Sequence, residues 1–330
     1  AWNDAYVKYF GTNIDNVVAM TESVAPYEYF KSSIGSVNRI ITIDIGGGTS
    51  DVVFAEDGNV KYITSFRFAA NSIFGDIHEG AGDQNGIIRQ FKSQIKNILD
   101  TNDESELIEV YDNLDNQNDS ANLASFFFAL KDNVKDKGIS NSINFNAMLQ
   151  NDETQKLVFL MFYTALIYHV AKIAKAKGLK EPRHIAFSGN GSKVISILTD
   201  DEKTLSKYTI AIFEGVLGKT YDTNGLELKY KAEQPKEATC KGGISCKQPQ
   251  DYDQISDMKV VLKTTEKDSF IINETYVSIT DAYISQSLLE TKQFIDFTFD
   301  IIAKTKAKDE LANSTYKCNF CYSKYRKFPQ

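Results

Sequence analysis

One short segment combines glycines with acidic and hydroxyl side chains at a spacing suited to binding phosphate. In chain order it contains Asp44, Gly46, Gly47, Gly48, Thr49 and Asp51. Glycines let a ligand approach backbone N–H groups closely, and successive N–H groups in a turn form a concave anion site. A carboxylate beside that site repels phosphate unless a cation lies between them, and hydrated Mg²⁺ is the natural bridge. The segment therefore predicts a site for Mg²⁺ and phosphate; the alternative is a plain tight turn, for which one glycine would suffice.

A second segment of small residues could lie against a nucleotide. In chain order it contains Ser188, Gly189, Asn190, Gly191, Ser192 and Lys193. It follows a predicted strand and opens a predicted helix, whose N-terminus would favour phosphate groups. An ordinary strand-to-helix turn with Ser192 near the N-cap explains the same pattern. This segment alone leaves the choice between nucleotide binding and a structural turn open.

The elements that must position the first segment are three β-rich runs within residues 39–66. The glycines separate the first two runs, and the sequence Glu-Asp-Gly-Asn at 56–59 separates the second from the third. Asp-Gly between β-branched runs is a strong hairpin signal. The pattern predicts an antiparallel meander of three strands.

Helices and further strands are predicted on both sides of this meander. A helix over residues 153–178 is expected to be buried on most sides, because apolar residues cover nearly its whole circumference. Gly178 is its expected C-cap. The other predicted elements are a helix at 13–31, a strand at 184–188, a helix from 193, a helix at about 201–216, a strand near 226–230, a helix at 236–246, strands at 259–263 and near 276–279, and a helix from 281 to about 303.

Residues 76–155 differ from the rest in composition. Asn and Asp are dense, as in residues 112–120, and short helical patterns at 87–99 and 123–130 alternate with such polar stretches. This alternation predicts an inserted helical subdomain with solvated loops.

The overall composition argues against two classes of partner. The chain has 330 residues, of which 42% are hydrophobic and 25% charged, the ordinary balance of a soluble globular protein. A net charge of -7 argues against nucleic acid as the principal ligand. The longest apolar stretch without charged residues, 157–171, is shorter than the roughly 20 residues that a membrane span needs.

The cysteines and the first residue set two further expectations. Cys318 and Cys321 have the spacing of a zinc or redox pair. Cys240 and Cys246 have no such spacing, so we expect no four-cysteine metal site. The chain begins with Ala, so we expect it to be processed or cut from a longer protein.

Four segments resemble motifs of the superfamily that contains actin, the seventy-kilodalton heat-shock chaperones and the sugar kinases. Residues 44–51 resemble its second phosphate motif, and residues 188–193 resemble its adenosine motif. Residues 22–26, Glu-Ser-Val-Ala-Pro, and residues 236–243 resemble its two connecting helices. The phosphate motif is highly specific; the others are specific mainly because they occur in the family's order. The resemblance covers about residues 15–246.

The resemblance implies an α/β fold, the second half of a ribonuclease-H-like, actin-type ATPase. Its three-stranded antiparallel meander would carry flanking helices and an inserted helical subdomain. Residues 1–75 and 153–250 would form the ATPase core, residues 76–152 the insertion, and residues 251–330 an extension of uncertain fold. The family's first phosphate hairpin belongs upstream of the first connecting helix and is missing from this sequence. An upstream domain of the same longer chain is therefore an expected partner.

The resemblance also implies ATP and Mg²⁺ as cofactors, bound between two lobes. Asp44 would hold a metal-bound water. Gly46, Gly47 and Gly48 would give N–H groups to the β- and γ-phosphates. The hydroxyl of Thr49 would lie by the γ-phosphate or the attacking water.

Two further acids would complete the catalytic set that the resemblance implies. Asp51 would orient the glycine loop or accept a proton. Glu22 would help to position water from across the cleft, and its alternative is a solvated helix acid.

The remaining implied contacts are to the rest of the nucleotide. Gly189, Asn190 and Gly191 would approach the ribose and α-phosphate, with Ser192 in the same motif. Lys193 would lie along the adenine face, where the chaperones have Arg. Gly75, at the entry to the insertion, would also touch the nucleotide.

The function implied is that of a cytoplasmic, Mg²⁺-dependent ATPase domain of actin-like or chaperone-like type. Hydrolysis would be coupled to lobe closure, to a protein partner or to self-assembly. One alternative is a scaffold of the same fold that does not hydrolyse nucleotide. Another is a small-molecule kinase, although the Gly-Gly-Gly-Thr form with two Asp is closer to actin-like ATPases and chaperones.

Overall fold

The fold is a five-stranded mixed sheet with helices on both faces. A computed structural model describes residue 8 and residues 20–34, 38–76, 84–199, 201–221, 225–230, 236–246 and 281–305. The strands are β1 (Arg39–Ile45), β2 (Ser50–Glu56), β3 (Asn59–Phe66), β4 (His184–Ser188) and β5 (Glu227–Tyr230). Their order across the sheet is β3-β2-β1-β4-β5. The first three strands are antiparallel, whereas β1 pairs with β4 and β4 with β5 in parallel. The predicted antiparallel meander is confirmed.

Local chemistry explains both turns of the meander. Asp57 and Gly58 have φ angles of 53° and 77°, the left-handed pair that a tight hairpin requires. The glycine turn at the other end joins β1 to β2, closed by the Gly46 N–H donating to the Thr49 carbonyl at 2.9 Å.

The α-helices occupy most of the rest of the described chain. They are α1 (Ala25–Ile34), α2 (Asn71–Phe74), α3 (Gly86–Thr101), α4 (Ser105–Asn116), α5 (Ser120–Asn133), α6 (Phe145–Gln150), α7 (Glu153–Ala176), α8 (Ile195–Leu198), α9 (Glu202–Leu217), α10 (Glu237–Ser245) and α11 (Asp281–Thr305). Short 3-10 helices span Lys135–Lys137 and Asn190–Val194. The predictions for α7, α9, α10, α11, β4 and β5 are confirmed to within about two residues. The predicted strands at 259–263 and 276–279 lie outside the described residues.

Two predictions about helices are wrong. Of the helix predicted at 13–31, residues 13–19 lie outside the described residues; residues 22–24 form a turn, and the described helix runs from Ala25 to Ile34, past residue 31. Residues 112–116 belong to α4 and not to a solvated loop. Tyr111 is the one fully buried residue of α4, and Asp115 lies half-buried in a bond with Lys92 of α3, so the helix shows little apolar periodicity in the sequence. The division of the chain into core, insertion and extension stays a prediction.

The sheet packs on both faces, and the alternation of its side chains decides which residue faces which layer. Ile41, Ile43 and Ile45 belong to a large core that also contains the apolar sides of α3, α5, α7 and α9. Ile40 and Val53 face the opposite layer, formed by α1 and α10. Asp44 and Thr42 lie on that second face, because successive side chains of a strand alternate.

Helices α1 and α10 cross at very short range. A Cβ atom added to Gly242 of α10 would lie 1.7 Å from the backbone carbonyl oxygen of Ala25 in α1. Only glycine fits this crossing. The Tyr27 hydroxyl and the Lys31 ammonium of α1 both donate to the Gly58 carbonyl, at 2.9 Å and 3.2 Å, so α1 packs against the β2–β3 turn.

Helix α7 is long and apolar enough to cross a membrane by length and composition alone. In this fold 61% of its most apolar 18-residue window is buried, as in the core helix of a globular domain. Its hydroxyls Tyr163 and Thr164 pair with Thr209 and Tyr208 of α9. Gly178, with φ 65°, lies just beyond the C-cap residue Lys177 and ends the helix as predicted.

Candidate functional site

A row of polar residues crosses four strands at one end of the sheet. Asp44 of β1 lies opposite Asp51 of β2 and beside Ser188 of β4. Asp51 in turn lies opposite Ser65 of β3. Residues paired in this way point to the same face of a sheet. The row therefore replaces the apolar residues of the α1 and α10 face at the end where the glycine turn joins β1 to β2.

Asp44 is the half-buried centre of this row. The Ser188 hydroxyl donates a hydrogen bond to its Oδ2 at 2.8 Å. Burial raises the pKa of Asp44 above its ordinary value, and the charges of Asp51 and Glu22 raise it further, against the lowering effects of Ser188 and Lys236. The ionised form of Asp44 is therefore disfavoured in the protein alone, and a bound cation would stabilise it.

Glu22 and Lys236 bring opposite charges to this end of the sheet. Both are exposed, in the segments that lead into α1 and α10 respectively. Each lies close enough to Asp44 for its charge to affect the pKa of that carboxyl. The structure thus places Glu22 and Asp51 near enough to Asp44 for their charges to act on it, and adds a lysine.

The glycine turn leaves two of its three N–H groups without an acceptor among the described residues; the Gly46 N–H is paired with the Thr49 carbonyl and, contrary to expectation, is not available to phosphate. The Ala70 N–H donates to the Gly46 carbonyl at 3.2 Å, and the Asn71 N–H donates to the Gly47 carbonyl at 2.8 Å. The C=O and N–H of one trans peptide point in opposite directions. The N–H groups of Gly47 and Gly48 therefore point away from the 70–71 segment, and no described residue accepts a hydrogen bond from them.

The fold itself does not require all three glycines of the turn. None of them has a positive φ angle, so backbone conformation does not demand glycine there. A Cβ on Gly46 would lie 3.0 Å from the Thr49 carbonyl oxygen, and one on Gly47 would lie 3.3 Å from Asn71 Oδ1. A Cβ on Gly48 would meet nothing within 4 Å. Glycine at position 48 suits a ligand that approaches the backbone.

The second glycine segment packs directly against the first. Gly189 has φ 79°, and a Cβ there would lie 2.4 Å from both Asp44 Oδ1 and the Ile45 carbonyl oxygen. A Cβ on Gly191 would lie 2.6 Å from the Gly46 carbonyl oxygen. Close packing of the two turns thus requires glycine at both positions, which the sequence did not indicate. Their contact with a nucleotide stays a prediction.

The other residues of this segment differ in exposure. Asn190 is exposed and Lys193 is half-buried. Ser192 is buried, and its hydroxyl donates to the Gly189 carbonyl at 2.7 Å, which fixes the turn. The segment enters a 3-10 helix before α8, not an α-helix from residue 193 as predicted. Of these three side chains, Asn190 is the most accessible to a ligand.

Gly75 lies where α2 ends and the insertion begins. Its N–H donates to the Asn71 carbonyl at 2.8 Å, and a Cβ there would lie 2.6 Å from the same oxygen. The next residue, Asp76, accepts hydrogen bonds from the Asn85 N–H and from the N–H and hydroxyl of Ser120. These bonds tie the starts of α3 and α5 to the segment that follows α2. A contact between Gly75 and a nucleotide stays a prediction.

The donor set fits a hydrated cation better than a directly ligated metal. The described residues contain no group of three or more His, Cys, Asp or Glu side chains that could hold a metal ion. Asp44 and Asp51 can instead accept hydrogen bonds from the water shell of Mg²⁺, which keeps several waters when bound. Cys240 is exposed and Cys246 half-buried, while Cys318 and Cys321 lie outside the described residues.

Sequence reasoning missed three residues of this site as side chains with a role: Ser65, Ser188 and Lys236. Nothing near Ser65 in the sequence marks it, because its position depends on strand register. Lys236 was recognised only as the first residue of the segment that resembles the second connecting helix, and its approach to Asp44 depends on the docking of α10. Ser188 was recognised only as the start of the second segment. A hydroxyl at the end of a strand parallel to β1 is the signal that could have identified it.

Comparisons with known proteins add little to this description. No protein-family model and no curated protein sequence matches the chain. Ethanolamine utilization protein EutJ from Carboxydothermus hydrogenoformans has a similar solved structure over 68% of this chain, at 14% identity and a TM-score of 0.26. The chain spans 52%, about half, of that protein's length. The TM-score and the sequence identity are too low to support a conclusion about fold or function.

Proposed function

We propose that this chain binds ATP with Mg²⁺ and forms one half of an actin-like or chaperone-like ATPase of the cytoplasm. The observation that carries the proposal is the glycine turn near Asp44, whose Gly47 and Gly48 N–H groups find no acceptor in the described part of the chain. A sheet with an antiparallel meander followed by two parallel strands is consistent with an actin-like fold. The resemblance of residues 44–51 to the second phosphate motif supplies the ligand class.

Phosphate and carboxylates can share this site only through a cation. The outward N–H groups of the turn suit phosphate oxygens, whereas Asp44 and Asp51 repel them. Mg²⁺, when bound, would neutralise charge on the phosphates and on the acid pair. Lys236 adds a positive charge at the same end of the sheet, and it would favour the polyphosphate over a neutral ligand.

Hydrolysis would depend on positioning more than on covalent chemistry. Thr49 is exposed at the end of the turn, and its hydroxyl can donate to a phosphate oxygen or a water. Asp51 and Glu22 are both able to accept a proton from water or to hold it by a hydrogen bond. The N–H groups of Gly47 and Gly48 would stabilise charge that develops on the transferred phosphoryl group.

Calorimetric titration of the chain tests the proposal. ATP and adenosine are compared, each with Mg²⁺ and with the metal chelated. We expect ATP to bind only or mainly with Mg²⁺ and adenosine to bind much more weakly, because the proposed contacts are to phosphate. Release of inorganic phosphate from ATP then tests hydrolysis. Equal binding of ATP and adenosine, or no binding of ATP, would contradict the proposal.

A further inference from the structure

The end of β4 lies against the Asp44 carboxylate and donates a hydrogen bond to one of its oxygens. Ser188 is the last residue of that strand, is 1% exposed, and donates from its hydroxyl to Asp44 Oδ2 at 2.8 Å. The backbone of Gly189 lies against Oδ1, where a Cβ would come within 2.4 Å. A carboxylate on an open strand end could rotate; this one is restricted by two consecutive residues 144 positions further along the chain.

Thr42 offers a comparison for Ser188 on the same face of the sheet. It lies two residues before Asp44 and is 2% exposed. Among the described residues its Oγ1 has no hydrogen-bond partner. Ser188 is equally buried but donates its hydroxyl to Asp44.

We propose that Ser188 is a positioning residue, which fixes the Asp44 carboxylate towards the glycine turn before Mg²⁺ and phosphate arrive. The inference rests on the proposed function and goes beyond it by assigning a role to a side chain outside the phosphate turn. The Ser188 hydroxyl occupies one acceptor site of Oδ2 and leaves the others for water on the cation. Groups that orient a metal-binding carboxylate are typically hydrogen-bonded in this way.

Four variants separate positioning from packing. Ser188→Ala removes the hydroxyl, and Ser188→Cys keeps the size but offers only a weak donor. Ser188→Thr keeps the hydroxyl in a strand, where a β-branched residue is well tolerated. Thr42→Val is the matched control, because it removes an equally buried hydroxyl with no described partner from the same face.

The measurement is the apparent affinity for Mg²⁺ at fixed ATP, together with the affinity for ATP when the metal is chelated. We expect Ser188→Ala and Ser188→Cys to weaken Mg²⁺ binding about 10–100-fold, the usual effect of losing such a partner. Binding of ATP without metal should not change. Ser188→Thr and Thr42→Val should match the wild type in both measurements.

Each possible result of these measurements supports or contradicts the positioning role of Ser188. If Ser188→Ala or Ser188→Cys binds Mg²⁺ as the wild type does, positioning is wrong although the proposed function stands. If ATP binding falls equally with and without metal, and Ser188→Thr falls as well, the role of Ser188 is packing. If the wild type binds ATP equally with and without Mg²⁺, the cation role fails while nucleotide binding stands. If the wild type binds no ATP, both the proposed function and this inference are wrong.

Discussion

Asp44 and Asp51 lie directly opposite each other on adjacent antiparallel strands, at the end of the sheet where the glycine turn joins them. Like charges in opposite positions on a sheet are destabilising. Burial of Asp44 adds to this cost and raises its pKa. This unfavourable arrangement lies next to N–H groups that no described residue accepts from, and the proposed binding of Mg²⁺ with phosphate rests on that combination.

Replacing Asp44 should therefore stabilise the ligand-free protein at neutral pH. The folded-state pKa of Asp44 lies above its unfolded value of 3.8, so its contribution to stability is full below that value and is lost as pH rises through the folded pKa. Asp44→Asn should melt above the wild type at pH 7 without divalent cations. The difference should shrink as pH falls towards 4.

Calorimetric melting curves across this pH range check the prediction. Asp132→Asn, which changes the same charge at an exposed position of α5, is the control and should show no such pH-dependent gain. A lower melting temperature for Asp44→Asn than for wild type at pH 7 would mean that ionised Asp44, opposite Asp51, does not destabilise the ligand-free protein.

Neighbouring glycines of α10 should respond to alanine in opposite directions. Gly242→Ala places a methyl group into the Ala25 carbonyl and forces α1 and α10 apart. We expect this overpacking to cost about 1–3 kcal/mol. Gly243→Ala meets nothing within 4 Å and should stabilise the helix by about 0.5–1 kcal/mol. Urea unfolding measures the change in the free energy of unfolding for both variants. If Gly242→Ala leaves this free energy unchanged, the crossing of α1 and α10 can accommodate a methyl group and the prediction is wrong.

The anchor of the insertion should weaken when Asp76 loses its charge. Burial raises the pKa of Asp76, but hydrogen bonds from Ser120 and Asn85 outweigh burial, and the pKa lies below 3.8. Its stabilisation is therefore present above that value and is lost as pH falls through the folded pKa. Asp76→Ala should cost about 1–3 kcal/mol, because three donors lose their acceptor.

Hydrogen exchange locates this effect. At pH 7 the amides of α3 and α5 should exchange faster in Asp76→Ala than in wild type, while those of β1 and β4 should change little. Uniform acceleration across the sheet and the insertion would show that Asp76 is not a local anchor.

The sequence allowed the meander and its two turns to be predicted because alternation and turn residues are local signals. It did not allow the polar row to be predicted, since Asp44 and Ser188 become neighbours only through the parallel pairing of β1 with β4. The packing role of Gly189 and Gly191 escaped notice for the same reason: it arises where two turns meet. Helix α4 was missed because its exposed polar residues are typical of loops as well as of solvated helix faces.

The central claim is that the glycine turn binds the phosphates of a nucleotide, and the most direct test is at Gly48. A side chain there meets no protein atom within 4 Å of its Cβ and needs no left-handed backbone, so Gly48→Val should leave the fold intact. Gly86→Val is the matched control, because Gly86 opens α3 and also has free space around its Cβ.

The measurement is Mg²⁺-dependent binding of ATP by calorimetry, with melting temperatures recorded without nucleotide. Both variants should melt within about 4 °C of wild type, the shift that roughly 1 kcal/mol produces in a domain of this size. Gly48→Val should lose detectable ATP binding, while Gly86→Val should bind as the wild type does. A folded Gly48→Val that binds ATP with unchanged affinity would contradict the account.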